Sequence, residues 1–149
     1  MALHRATAEG DIPMTPEEEA DFLAQQAAGN PTLDDLKAEK NAQINQWREE
    51  ANFSTFPHGG KVFACDRLSR SDIDGVANEI ALNGAFPAGF PHAWKAIDNT
   101  YLAIPDIASF KAFYSSMTAQ GAVNFAHAQA LKAALAAADT PAKVEAIVW

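Results

Sequence analysis

Cysteine is almost missing from this chain: Cys65 stands alone among 149 residues. A single thiol cannot close an internal disulfide, so the fold rests on its core, in a reducing compartment or one where oxidation is immaterial. Lying in an alternating run, Cys65 reads as a small buried hydrophobe rather than a nucleophile. Long apolar runs are missing too. No stretch reaches the roughly 18 apolar residues of a membrane span, and Met1-Ala2-Leu3-His4-Arg5 lacks the apolar segment of a signal peptide. Synthesis and folding in the cytoplasm are expected. Basic clusters are also lacking, with 11 Lys and Arg against 19 Asp and Glu. Nucleic acid and anionic membranes both select a basic stripe, so neither is an expected partner.

Patterns that carry chemistry are equally scarce. The sequence has no glycine-rich phosphate loop, Gly-x-Ser-x-Gly, Cys-x-x-Cys or His-Glu-x-x-His. His4, His58, His92 and His127 fall in different segments, none at ligand spacing from another, although a composite site of His58, Cys65 and His92 stays open. Asp66 with Asp72 or Asp74 can be read as a carboxylate pair, yet a strand end and a helix first turn explain them as well. The expectation is a non-enzymatic protein without metal or cofactor.

What is present is organised from one end to the other. Residues 1–50 carry 11 acidic and 4 basic side chains, against 8 and 7 in residues 51–149. Acidity thus belongs to the N-terminal third, where it either engages a basic partner or simply solvates a surface. Residues 1–14 show no sustained period and read as an extended arm. Thr15-Pro16-Glu17-Glu18 is a helix start, with a capping hydroxyl, a proline suited to the first helical position and acid at the positive end of the dipole. That helix should stop at Gly29-Asn30-Pro31, and Thr32 should open a second one reaching about Ala51. The apolar stripe of the second helix is thin: Leu33, Leu36, Ile44, Trp47 and Ala51. A thin stripe fits self-association through residues 33–51 or partner docking, the alternative being packing against the rest of the chain. Residues 15–52 are accordingly read as an acidic helical attachment region.

Residues 53–149 read as a small α+β domain. Pro57-His58-Gly59-Gly60 lies between two β-like runs and signals a hairpin. A helix should follow Ser69 or Ser71, with Ile73, Val76 or Ala77, Ile80 and the Ala81-Leu82 pair on its inner side, and end at Asn83-Gly84. The Pro- and Gly-rich stretch 85–91 is an irregular loop whose Phe86 and Phe90 either form a second contact site or cover the hairpin beyond it. That hairpin is Trp94 to Ile104 around Asp98-Asn99, read as a two-residue turn. A long amphipathic helix then runs from Asp106 to about Ala138 with Phe110, Phe113, Tyr114, Met117, Gly121, Phe125, Ala128, Leu131 and Leu135 at three- and four-residue steps. A short helix from Thr140-Pro141 carries Val144, Ile147 and Trp149 back to the core.

Phe63-x-x-Asp66-x-x-Ser69, a helix, Trp94-Lys95-x-x-Asp98-Asn99 and a C-terminal amphipathic helix with Lys132 and Ile147 together form a recognisable pattern. It resembles the small phage-tail domain of unassigned function found in tail-fibre assembly proteins and neighbouring tail proteins. The likeness covers roughly residues 55–149, and Ile12-Pro13-Met14-Thr15-Pro16-Glu17-Glu18-Glu19 is similar to the start of the acidic helix in many of those assembly proteins. The resemblance implies a bacteriophage tail structural protein, an oligomeric virion component attached near the tail fibre or baseplate. Its alternative is a tail-fibre assembly chaperone absent from the mature virion. The residues expected to bind partners are Leu33, Leu36, Ile44 and Trp47, then Phe86 and Phe90.

Overall fold

The computed structural model describes residues 3–7 and 10–149 of the chain. Within them the order is β1 (His4–Thr7), β2 (Gly10–Pro13), α1 (Pro16–Gly29), α2 (Leu33–Asn52), β3 (Thr55–His58), β4 (Lys61–Ala64), α3 (Arg67–Asn83), β5 (Ala93–Lys95), β6 (Tyr101–Ala103), α4 (Ile107–Ala137) and α5 (Pro141–Glu145). The strands pair only within three antiparallel hairpins, so the fold is α+β. The first hairpin corrects one expectation: the segment read as an extended arm pairs Arg5 with Ile12 and His4 with Pro13. Met1, Ala2, Ala8 and Glu9 lie outside the described residues.

The 31-residue helix α4 is the spine, and two buried clusters sit along it. Around its first half, Phe56 and Phe63 from the second hairpin, Ile73, Val76 and Ile80 from α3, and Phe110, Phe113 and Met117 close one core. Phe113 stands at its centre, its ring 4.9 Å from Phe63, 5.1 Å from Phe56 and 5.5 Å from Trp94. Around the second half, Ala128 and Leu135 pack with Ile44 of α2 and with Val144 and Ile147.

Local chemistry sets the element ends. In α2, the Thr32 hydroxyl accepts from the Asp35 amide while the Asp35 carboxylate accepts from the Thr32 amide, a reciprocal cap. The cap of α3 is Asp66, not Ser69 or Ser71: one oxygen accepts from the amides of Leu68 and Ser69, and the other from the Ser69 hydroxyl. Asp106 caps α4 in the same way through the Ser109 amide at 2.7 Å. Gly59 and Gly60, at φ 56° and 76°, form the two-residue turn of the second hairpin, where paired positive φ matches the strand twist. The third hairpin departs from expectation. Ala96 exchanges bonds with Thr100 and Asn99, leaving a three-residue loop, Ile97-Asp98-Asn99, in which only Asn99 has positive φ. That is a type I turn closed by a left-handed residue, and Asp98 serves it by accepting from the Thr100 amide.

Two side-chain assignments also shift. Leu82 is 81% exposed, so the inner face of α3 ends at Ile80. On α4 the buried position after Met117 is Asn124, and Phe125 turns outward beneath the Arg48 guanidinium, 4.8 Å from its ring centre.

Candidate functional site

The six residues expected to bind partners are engaged inside the chain. Ile44 is fully enclosed, and Leu33, Leu36 and Trp47 pack against the same cluster of Ala128, Leu135, Val144 and Ile147. Polar contacts fasten the helix further: Lys37 Nζ donates to the Ala136 carbonyl at 3.2 Å and Lys40 Nζ to the Ile147 carbonyl at 3.3 Å, both at carbonyl-rich helix ends. The thin stripe is therefore the chain's own packing face, and α2 belongs to the C-terminal unit rather than to an attachment region. Phe86 and Phe90 stack on each other at 4.5 Å and meet Phe110 edge-on, covering the aromatic core. Both rings are half-buried, so the covering role is what the packing shows.

Residues of the phage-tail-like pattern turn out to be builders of turns and cores. Phe63 is buried, Asp66 and Ser69 cap α3, Trp94 packs on the aromatic core, and Asp98 with Asn99 shapes the hairpin loop. Capping holds the Asp35, Asp66, Asp98 and Asp106 carboxyls below the usual aspartate range. Hydrogen bonds from Thr32, Ser69 and Thr100 hydroxyls lead for the first three, and the Ser109 amide for Asp106. Burial pushes the Cys65 thiol up, away from nucleophilic use. Burial likewise raises the Tyr114 phenol, with the Asp74 carboxylate nearby adding to it.

No group of three or more His, Cys, Asp or Glu gathers at metal-binding distance among the described residues. His58 is hydrogen-bonded to the Ser116 hydroxyl at 2.7 Å, whereas His92 packs against Phe86 and Phe90. The two histidines of the composite site thus have separate local partners, and Cys65 is buried. No helix among the described residues is long and apolar enough to cross a membrane.

The surface that sequence reasoning undervalued is α1. Thr15 and Glu18 cap it reciprocally, and Arg5 of β1 pairs with Glu18, tying the first hairpin to the helix start. Its Glu18 carboxyl is held low first by the Thr15 amide. Beyond that start, Phe22 is 39% and Leu23 50% exposed, beside the acidic Glu17, Glu19 and Asp21. Adjacent large apolar residues on a helix with no period around them gave the sequence reading nothing to single out.

These features define a compact hairpin-and-helix body on an α4 spine, preceded by an acidic hairpin–helix unit. The body coincides with a known family: residues 35–148 match the family described as Domain of unknown function (DUF4376). That match spans well over half the chain, which therefore belongs to this family. It begins inside α2, in agreement with the packing of that helix into the C-terminal body. No curated protein and no solved structure matches the chain.

Proposed function

We propose that this protein is a non-enzymatic structural component of a bacteriophage tail, attached near the tail fibre or baseplate through its N-terminal hairpin and α1. The observation that carries the attachment step is the uncovered Phe22-Leu23 pair on α1, set among carboxylates and outside the residues matched by the family. Adjacent exposed large apolar side chains are the usual material of an interface centre, and an acidic surround selects a partner with an apolar groove and a basic rim. The tail setting draws on the resemblance of residues 55–149 and of the acidic helix start; the body then serves as the part displayed or docked on the particle.

Mass spectrometry of purified mature particles, with copy-number quantitation, tests this reading. A fixed stoichiometry relative to the fibre or baseplate protein is expected. Recovery only from infected-cell lysate, bound to fibre protein, would instead make the chain an assembly chaperone made and used in the host cytoplasm.

A further inference from the structure

Where the two cores meet, the C-terminal turn of α2, its link to β3 and the middle of α4 leave an open groove of about 430 Å³, within the ~300–1,000 Å³ usual for small-molecule sites. The indoles of Trp47 and Trp149 line it. Its floor carries two side-chain amides, Gln120 and Asn124: Gln120 Nε2 donates to Asn124 Oδ1 at 3.1 Å, and Asn124 Nδ2 donates onward to Asn52 Oδ1, outside the lining, at 3.0 Å. Asn124 is the buried polar side chain that displaced Phe125 from the inner face of α4, and it is only 7% exposed. Burying an amide on a helix face costs stability unless its bonds are made, and here they are made by two further amides that thereby become fixed. Gln120 keeps its carbonyl oxygen and one N–H for another partner.

The lining narrows the ligand class. No Lys, Arg or His is among the described residues that line the groove, and the carboxylate of Glu50 is, held through one oxygen by Gln46 Nε2 at 2.8 Å; outside the lining, Lys40 Nζ lies 5.5 Å from the Trp47 ring centre. An anion therefore meets a carboxylate in the lining and no cation there. A fully apolar ligand would strand the amides of the floor. A neutral ring with an apolar C–H face and hydroxyls along its edge satisfies both surfaces: the face lies on indole, and each hydroxyl donates or accepts as the amides require. We infer that this groove binds a neutral saccharide ring, stacked on Trp149 and hydrogen-bonded by Gln120, Glu50 and Thr55. The inference stands independently of the tail assignment, since it uses only the groove's own residues.

Saturation-transfer NMR on the full chain, with glucose, galactose, mannose and N-acetylglucosamine as separate probes, tests it. Transfer to the ring C–H protons of at least one sugar is expected. Trp149→Ala should weaken that binding by roughly tenfold, the scale of one aromatic contact. Trp149 is 40% exposed, belongs to neither buried cluster and meets the His127 ring edge-on at 4.7 Å, so thermal unfolding of this variant is measured beside binding to separate lost contact with sugar from lost stability. Gln120→Ala should weaken binding with it, whereas Tyr101→Ala, 65% exposed on the third hairpin, should not. Absence of transfer from all four sugars would overturn the inference. So would binding indifferent to both Trp149→Ala and Gln120→Ala, or binding of tetramethylammonium in place of sugar.

Discussion

Around the first half of α4 the core is aromatic, with Phe56, Phe63 and Phe113 in mutual ring contact, Phe110 joined to them through Phe113, and Trp94, Phe86 and Phe90 laid over them. Around the second half it is aliphatic and small: Ile44, Ala128, Leu135, Ala138, Val144 and Ile147. The first is closed by two hairpins and a helix arriving from different directions, the second by α2 lying along α4 with α5 at the end. Alanine-rich surface on α4 explains how so thin a stripe on α2 is enough. Small side chains let two helices approach closely, so a few large residues on one partner fill the space between them. A narrow apolar stripe therefore need not mean that a helix awaits an external partner.

This contrast can be broken most severely at its aromatic centre. Phe113→Ala removes a fully enclosed ring and should cost about 3–5 kcal/mol, read by chemical denaturation. In the aliphatic core, Ile44→Ala should cost about 2–3 kcal/mol, less than Phe113→Ala because fewer buried atoms are removed. The double change Leu36→Asp with Trp47→Asp sharpens the difference. It should unfold the α2–α4 half, and a folded body after that change would return α2 to the role of an external docking helix.

Acid separates the two halves without mutation. Asp66, Asp98 and Asp106 order the aromatic half, whereas Asp35 alone of the capping aspartates serves α2. Each has a folded-state carboxyl below its ordinary value, so its contribution is complete above that value, near pH 4, and is lost as pH falls through the lowered one. Melting temperature should fall gradually in that window, since all four carboxylates are exposed and screened by solvent. Asp66→Asn keeps a capping oxygen but cannot titrate, and should make the drop shallower. The smallest effect is a gain. Gly75 in α3 has open space where a Cβ would stand, and Gly121 in α4 would meet only Asn52 Oδ1 at 4.0 Å. Gly75→Ala and Gly121→Ala should each stabilise by about 0.5–1 kcal/mol, since neither glycine is required by a turn or a close contact. A loss at Gly121 would reveal a tighter α2–α4 junction than this distance implies.

How much of this was legible followed from how local each signal is. Gly59-Gly60, Thr15-Pro16, Thr32 with Asp35 and Thr140-Pro141 act within four residues, and the elements they open or close lie where the sequence puts them. The α+β class and the long C-terminal helix were readable for the same reason. Asn124 against Phe125 was not, because both positions suit an amphipathic period and the choice is made by Asn52, 72 residues away. The thin stripe of α2 was ambiguous in the same way: its partner surface lies on α4, and sequence spacing along one helix does not report what faces it. The hairpin of residues 4–13 gave too little apolar alternation to read as strands. The Trp47–Trp149 groove was invisible for want of any local motif, since its walls meet only when α2 and the residues after α5 converge on α4.

The attachment role of α1 is tested most directly by Phe22→Asp with Leu23→Asp, made in the full chain and followed into purified particles by quantitative mass spectrometry. Both side chains are exposed, so the variant should melt at the wild-type temperature yet be missing from particles that carry the wild-type chain at fixed stoichiometry. Incorporation of the variant at the wild-type copy number would contradict the account and move the interface off the N-terminal unit.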